Sequence, residues 1–196
     1  MKEYYQEAYF KTNNYTDYLQ RQERYIRTAS ELHSVFSKTG IVTKTSRVLD
    51  YGCAVGFLLN GLKSLGHNNC FGYDISEWAS SQAKDAGNTV LDSVDKLKFD
   101  MCFSLDVFEH MEDSCIIELL SNNSIDKMIV RIPCSEPPQS NKFFLEISRK
   151  DKTHINCKTK DSWIEFFKQL GYNKFFRLNM NTIYDSDGCF CCLIMK

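Results

Sequence analysis

A chain of 196 residues, 43% of them hydrophobic, can bury the core of one ordinary domain and needs no second. Its 24 Lys+Arg against 25 Asp+Glu leave a net charge of -1, which excludes a global field that would recruit nucleic acid or a membrane surface. The stretch Met1-Lys2-Glu3-Tyr4-Tyr5-Gln6-Glu7 is too polar for a signal peptide, and no apolar run reaches membrane-spanning length, so a soluble, cytoplasmic protein is expected. Nine cysteines is an odd count, and Cys53, Cys70, Cys102 and Cys115 fall inside predicted elements as small apolar residues would. They read as reduced core thiols, while Cys191 and Cys192 point to opposite faces of a strand, against a zinc cluster made from them alone.

In chain order, residues 1–46 read as an N-terminal helical cover. Tyr4, Tyr5, Tyr9 and Phe10 crowd its start, Asn13-Asn14 makes a turn, and a helix is predicted from about Thr16 to Ser37 with Gly40 as its stop. Val48 and Leu49 begin a buried strand, and a helix follows to Leu65, stopped at Gly66. Cys70 to Asp74 is a second strand, and Ser76 can cap a helix running through Trp78, Ala79 and Ala83 toward Gly87. Thr89-Val90-Leu91 is a short third strand ending at Asp92-Ser93. Phe99 to Leu105 is a fourth, and Lys127 to Ile132, ended by Pro133, a fifth, with a helix over about Glu112 to Leu120 between them. From Pro133 to Lys160 the pattern breaks into a long irregular insert carrying Lys142, Arg149, Lys150, Lys152, Lys158 and Lys160, the kind of loop that serves as a substrate-side cover. Thr159 or Asp161 can cap a helix with a Trp163, Phe166, Phe167 and Leu170 stripe, and Lys174–Leu178 and Cys189–Met195 are the last two strands. Strand-helix alternations closed by a hairpin predict an α/β, doubly wound sheet of seven strands, mostly parallel with an antiparallel last strand.

The chemistry concentrates at Asp50-Tyr51-Gly52-Cys53-Ala54-Val55-Gly56-Phe57, where a strand passes through a tight turn into a helix. Small residues at Gly52, Ala54 and Gly56 let a ligand approach the backbone. Phe57 stands where a dinucleotide fingerprint needs its third glycine, and the Asp50 carboxylate would repel a pyrophosphate but attract an amine and a sulfonium. No P-loop segment occurs. Asp74, closing the second strand, is placed to accept hydrogen bonds from a ribose diol.

Asp50-x-Gly52-x-Ala54-x-Gly56 resembles the first motif of class I S-adenosylmethionine-dependent methyltransferases, with Ala54 for the middle glycine. Asp74 matches the second motif, and Phe99 to His110 looks like the family's fourth strand and following loop. The resemblance implies the Rossmann-like methyltransferase fold, S-adenosylmethionine as cofactor, and cofactor contacts from Asp50, Gly52, Cys53, Ala54, Gly56, Phe57, Asp74, Ile75, Asp92, Ser93, Leu105, Asp106 and Val107. It also makes Tyr9, Tyr15 and Arg21 candidates to touch the methionine part. The segment Phe144–Asn156 with Trp163 looks like small methyltransferases found beside glycosyltransferases, which implies O-methylation of a sugar hydroxyl and association with such enzymes. A small phenolic or carboxylic metabolite is the alternative acceptor, and a non-catalytic binding subunit the alternative class. Intact Asp50, Gly52, Gly56 and Asp74 speak against the latter. Nothing supports a nucleic-acid acceptor.

A sugar hydroxyl must lose its proton during attack. His110 is the suggested base, with His154 on the insert as the alternative and Asp106 beside them as a third polar group. Asp106-x-x-Glu109-His110 also resembles the Glu-x-x-Glu-His segment with which quinone-biosynthesis O-methyltransferases hold a divalent cation. Asp in place of the first Glu shortens one ligand arm, so the metal-free reading is preferred. A cation on Asp106, Glu109 and His110 remains the alternative.

Overall fold

The computed structural model describes residues 4–11, 17–138 and 141–196. They form two compact units, Met1–Val94 and Asp95–Lys196. The Asn13-Asn14 turn, the expected helix start at Thr16 and the candidate Tyr15 lie outside the described residues.

In the first unit, α1 (Gln22–Thr39) ends at Gly40, whose φ of 66° is the left-handed stop that glycine supplies at no steric cost. It starts later than its periodicity predicts, because Tyr18–Gln20 form a separate 3-10 turn with Tyr18 buried. β1 (Val48–Tyr51), α2 (Phe57–Ser64), β2 (Cys70–Tyr73), α3 (Glu77–Asp85) and β3 (Thr89–Val90) follow. The strands lie in the order β3-β2-β1, all parallel, with Val48 opposite Cys70 and Phe71 opposite Thr89. Ser76 caps α3 as expected, its hydroxyl accepting the Ala79 N–H at 3.0 Å. Helices α1 and α2 approach closely through Gly61, where an added Cβ would stand 2.6 Å from the Ala29 Cβ and 3.2 Å from the Ile26 backbone.

The second unit holds β4 (Lys98–Phe99), β5 (Met101–Leu105), α4 (Asp113–Asn122), β6 (Ser124–Ile125), β7 (Lys127–Pro133), α5 (Glu146–Lys150), α6 (Lys160–Gln169), β8 (Lys174–Arg177) and β9 (Cys189–Met195). Its strand order is β5-β7-β9-β8, with β9 antiparallel to both neighbours. Strands β4 and β6 make a separate two-residue parallel ladder that hydrophobic patterning does not reveal. The seven principal strands give the expected α/β fold, a mostly parallel sheet with an antiparallel last strand.

Several expectations need correction. Pro133 sits inside β7 as its last residue, opposite Cys189, a strand end where its missing N–H does little harm. The insert is not irregular throughout, since it contains α5 and bridges joining Ser135 to Phe143 and to Thr159. Cys53, Cys70 and Cys102 are buried as expected, but Cys115 is exposed on α4. Cys189 and Cys192 have a metal-ligand spacing, yet three residues along an extended strand they face opposite ways.

The α1–α2 contact decides one outcome. Gly61→Ala gains up to about 1 kcal/mol of helix propensity, but overpacking against Ala29 costs about 1–3 kcal/mol, so urea unfolding should show a net loss of about 1–2 kcal/mol. A gain in stability would mean that the two helices are not in this close contact.

Candidate functional site

The glycine turn of the first unit is built on left-handed backbone. Gly52, Ala54 and Gly56 have φ of 83°, 47° and 82°. The two glycines take this conformation freely, whereas Ala54 strains against it. Gly56 has a second reason to be glycine, since a Cβ there would lie 2.6 Å from the Asn88 side-chain nitrogen. The turn is tied to the end of β2. Gly52 N–H and Cys53 N–H donate to the Tyr73 carbonyl at 2.7 and 3.0 Å. Asp74 accepts the Ala54 N–H at 2.8 Å on one carboxylate oxygen and the Ser76 N–H at 2.8 Å on the other. Each oxygen keeps a lone pair for a further donor.

Asp50 is buried, and that burial, with the Asp74 carboxylate adding to it, pushes its carboxyl up to about 7. Burial likewise raises Asp74, against the lowering effect of its two backbone donors. A buried pair of acids of this kind suits a cationic ligand. Phe10 and Tyr18 pack with Ala54, Val55 and Ala79 against the turn, and Tyr18 stacks on Phe57 at 5.9 Å. Ile75 is exposed directly after Asp74, an apolar surface beside a polar acceptor.

The second unit brings together a different set. The loop after β5 makes a 3-10 turn at Phe108–His110, and the insert is hydrogen-bonded to it, Ile155 and Asn156 both donating N–H to the Glu109 carbonyl at 2.9 Å. His110 and His154, alternatives in sequence, are neighbours, with ring centroids 4.6 Å apart. The Nδ1 of His110 lies 3.2 Å from the Thr153 carbonyl, to which it must donate, so Nε2 carries the lone pair. Burial first, then His154, drives His110 down to about 4, and burial also lowers His154. Both shifts favour the neutral ring. Glu109 is 0% exposed, both its carboxylate oxygens lack a hydrogen-bond partner among the described residues, and burial, with Asp106 adding, holds its carboxyl well above the ordinary range.

Asp106 does not join this group. Its φ is 59°, its N–H donates to the Arg131 carbonyl at 2.7 Å, and its carboxylate is held by both ends of the Arg131 guanidinium, Nε at 2.8 Å. Asp106 thus stands apart from Glu109, His110 and His154, whose nitrogen and oxygen atoms lie within 4.8 Å of one another.

The family described as a methyltransferase domain matches residues 17–175 of the sequence. The chain belongs to the methyltransferase-domain family. No curated protein matches it. Among solved structures it is similar to a SAM-dependent methyltransferase from Archaeoglobus fulgidus, at 17% identity over 91% of this chain and 99% of that one, with a TM-score of 0.60. It is also similar to the magnesium protoporphyrin IX methyltransferase of Synechocystis PCC 6803 with bound SAH, at 16% identity over 100% of this chain and 97% of that one, with a TM-score of 0.65. The methyltransferase domain of a bacterial Hen1 is similar at 18% identity over 89% and 97%, with a TM-score of 0.60. At these identities the likeness is one of fold.

Other residues named from the methyltransferase sequence fall out differently. The Asp92 side chain is 94% exposed and pairs with Lys84 at 3.0 Å. Arg21 pairs with Asp17 on the surface, and Tyr9 packs edge-on against Phe10. Four of the six cations of the insert have partners: Lys150 with Glu146, Lys158 with Asp113, Lys160 with Asp185, and Arg149 with the Phe143 and Phe144 carbonyls. Tyr18 and Arg131 were not singled out from the sequence. The aromatic crowding of the N-terminus signals the first, and nothing local signals the second.

Asp50 gives this methyltransferase a pH signature. A carboxyl that is held near 7 when folded and at 3.8 when unfolded contributes stability that is whole below about 4 and is lost as pH rises through about 7. Urea unfolding of the cofactor-free protein from pH 4 to 8 should show wild type losing stability relative to Asp50→Asn up to about pH 7 and no further change above it. A difference independent of pH would show that Asp50 ionises as an ordinary carboxylate.

Proposed function

We propose that this methyltransferase moves the methyl group of S-adenosylmethionine to a hydroxyl oxygen, with a sugar hydroxyl of a glycan or glycoconjugate as the leading acceptor. The observation that carries the choice of a hydroxyl is His110, a neutral, buried imidazole whose Nδ1–H is fixed by Thr153 so that Nε2 can accept a proton. The sugar comes from the resemblance of Phe144–Asn156 and Trp163 to enzymes that work beside glycosyltransferases, and a cytoplasmic site next to such partners belongs to the same reading. A small phenolic or carboxylic acceptor is the second reading, supported by the likeness to a porphyrin methyltransferase and to an O-methyltransferase of Nostoc punctiforme, the latter called putative in its own description.

In this reading the two units act as one methyltransferase domain. Asp50, Gly52, Cys53, Ala54, Gly56 and Phe57 would hold the cofactor, Asp74 and Ile75 would meet its ribose, and Leu105, Asp106 and Val107 would add the remaining contacts. Asp50 faces the positive charge of the methionine part. The residues fit such a ligand, because Asp74 keeps lone pairs after bonding Ala54 and Ser76 and the turn adds no side chain at Gly52 or Gly56. When bound, the cofactor supplies an electrophilic methyl on sulfur. An acceptor hydroxyl attacking that methyl would leave the carbon–sulfur electron pair on sulfur, and Nε2 of His110 would take up the hydroxyl proton. The insert closes the acceptor side and keeps water out. A divalent cation is the alternative to this base rather than its companion, because a metal on Nε2 would occupy the lone pair that takes the proton; the buried Glu109 carboxylate, without a hydrogen-bond partner among the described residues, lies close enough to His110 and His154 for that alternative.

Calorimetry should show binding of S-adenosylmethionine and of S-adenosylhomocysteine. Asp74→Ala should weaken both about tenfold or more, the loss of charge-assisted hydrogen bonds worth about 1.5–3 kcal/mol. Asp74→Asn, which keeps an acceptor for Ala54, separates ribose contact from turn stability, and unchanged affinity in both variants removes the ribose role. With the acceptor identified by S-adenosylhomocysteine release on a panel of glycans and phenols, His110→Ala should lower kcat by about 10²–10⁴ with cofactor affinity intact. Retained kcat there, with loss in His154→Ala, moves the base to the insert.

A further inference from the structure

An imidazole can take a proton on Nε2 only if its hydrogen is held on the other nitrogen. At His110 that hydrogen is contested by two groups of one residue. The Thr153 carbonyl, 3.2 Å from Nδ1, can only accept and so favours a hydrogen there. The Thr153 hydroxyl, 2.9 Å from the same nitrogen, can either accept from it or donate to it. If the hydroxyl donated, the ring hydrogen would sit on Nε2, which could then take no proton. Asp151 decides between the two. Its Oδ1 lies 2.6 Å from the Thr153 hydroxyl and also accepts the Thr153 N–H at 2.9 Å. A carboxylate only accepts, so the single hydroxyl hydrogen is committed to Asp151 and the hydroxyl oxygen turns a lone pair toward Nδ1. The other Asp151 oxygen is 3.7 Å from Nε2 of His154, beyond hydrogen-bond reach, and the side chain is only 7% exposed, which limits competition from water.

We propose that Asp151 is a positioning residue for methyl transfer: through the Thr153 hydroxyl it holds His110 in the Nδ1–H form, so that Nε2 carries the lone pair. The inference rests on the proposed function for the use made of that lone pair, whereas the position of the hydrogen is a property of the protein alone. A neutral histidine side chain in water favours the hydrogen on Nε2, so Asp151 and Thr153 hold the ring in its less favoured form. Both follow α5 in the insert, while His110 lies on the turn after β5, and the Ile155 and Asn156 N–H bonds to the Glu109 carbonyl at 2.9 Å bring the two segments together. The base is thus oriented only where the insert is docked on that turn, and covering the acceptor and readying the base become one event.

The test reads nitrogen-15 chemical shifts of the histidine rings in the full chain, at mildly alkaline pH after chelator treatment and dialysis. The chain has four histidines, and His110→Ala assigns the signals of His110. Wild type should show His110 mainly as Nδ1–H. Asp151→Ala releases the Thr153 hydroxyl to donate to Nδ1 and should move most of His110 to Nε2–H. Thr153→Val removes the hydroxyl but leaves the carbonyl, so it should stay Nδ1–H, and the double variant Asp151→Ala/Thr153→Val should return to that form. A purely structural role for Asp151 would not give this rescue, because the second substitution can only loosen the turn further. With an acceptor identified, Asp151→Ala should lower kcat about tenfold or more with little change in KM, and the double variant should recover part of it. Circular dichroism checks folding in each sample. If Asp151→Ala does not fold, the wild-type proton spectrum decides: the Thr153 hydroxyl proton should be visible and slow to exchange, and its absence overturns the proposal. Wild type mainly in the Nε2–H form, a folded Asp151→Ala with unshifted His110 or unchanged kcat, or a double variant no different from Asp151→Ala each overturns it as well. Binding of S-adenosylmethionine is read separately by calorimetry, so loss of this orienting chain and loss of the methyltransferase reading are told apart.

Discussion

The fastening of the turn after β1 to the end of β2 is the constraint on which the first unit depends. A left-handed stretch through Gly52, Ala54 and Gly56 exposes several N–H groups at once, and two of them find Tyr73 while a third finds the Asp74 carboxylate. Asp74 therefore does two jobs with one side chain. It holds the turn open and presents unused lone pairs on the ligand side. Phe10 and Tyr18 pack on the turn, and Asp50 and Asp74 are both buried beside it, which raises both carboxyls.

The second unit solves a similar problem with different parts. Asp106, strained at φ 59°, is neutralised within the protein by Arg131, while Glu109 three residues on has no hydrogen-bond partner among the described residues. Two acids close in sequence are thus sorted into one that is ion-paired and one whose oxygens have no hydrogen-bond partner among the described residues. The insert takes part in the sorting, because its backbone is bound to the Glu109 carbonyl and its Asp151 and Thr153 set the orientation of the imidazoles.

What could be read from the sequence was what backbone geometry imposes locally. The glycine turn, the acid after β2, the Ser76 cap and the Thr159 cap each rest on residues within a few positions of one another, and each takes the expected place. Arg131 and Asp106 are drawn together by neighbouring strands, and His110 meets His154 only because the insert folds back, so neither pairing leaves a local trace. The start of α1 was misjudged for a related reason: Tyr18 keeps helical spacing with Tyr25, but its ring is taken by Phe57 and Phe10, and packing overrode periodicity. The ladder of β4 and β6 is too short for any alternation to show.

The position of β9 governs when the second unit can assemble. Last of the strands in chain order, it lies between β7 and β8 and is antiparallel to both. During synthesis β8 emerges first, yet it has no strand to pair with until β9 has followed it. The second half of the sheet is thus completed late and by contacts distant in sequence, which slows folding and leaves the edge of β7 open in the meantime. A chaperone acting on the nascent chain would meet that exposed edge, with Met128, Ile129 and Val130 still awaiting the strand that covers them.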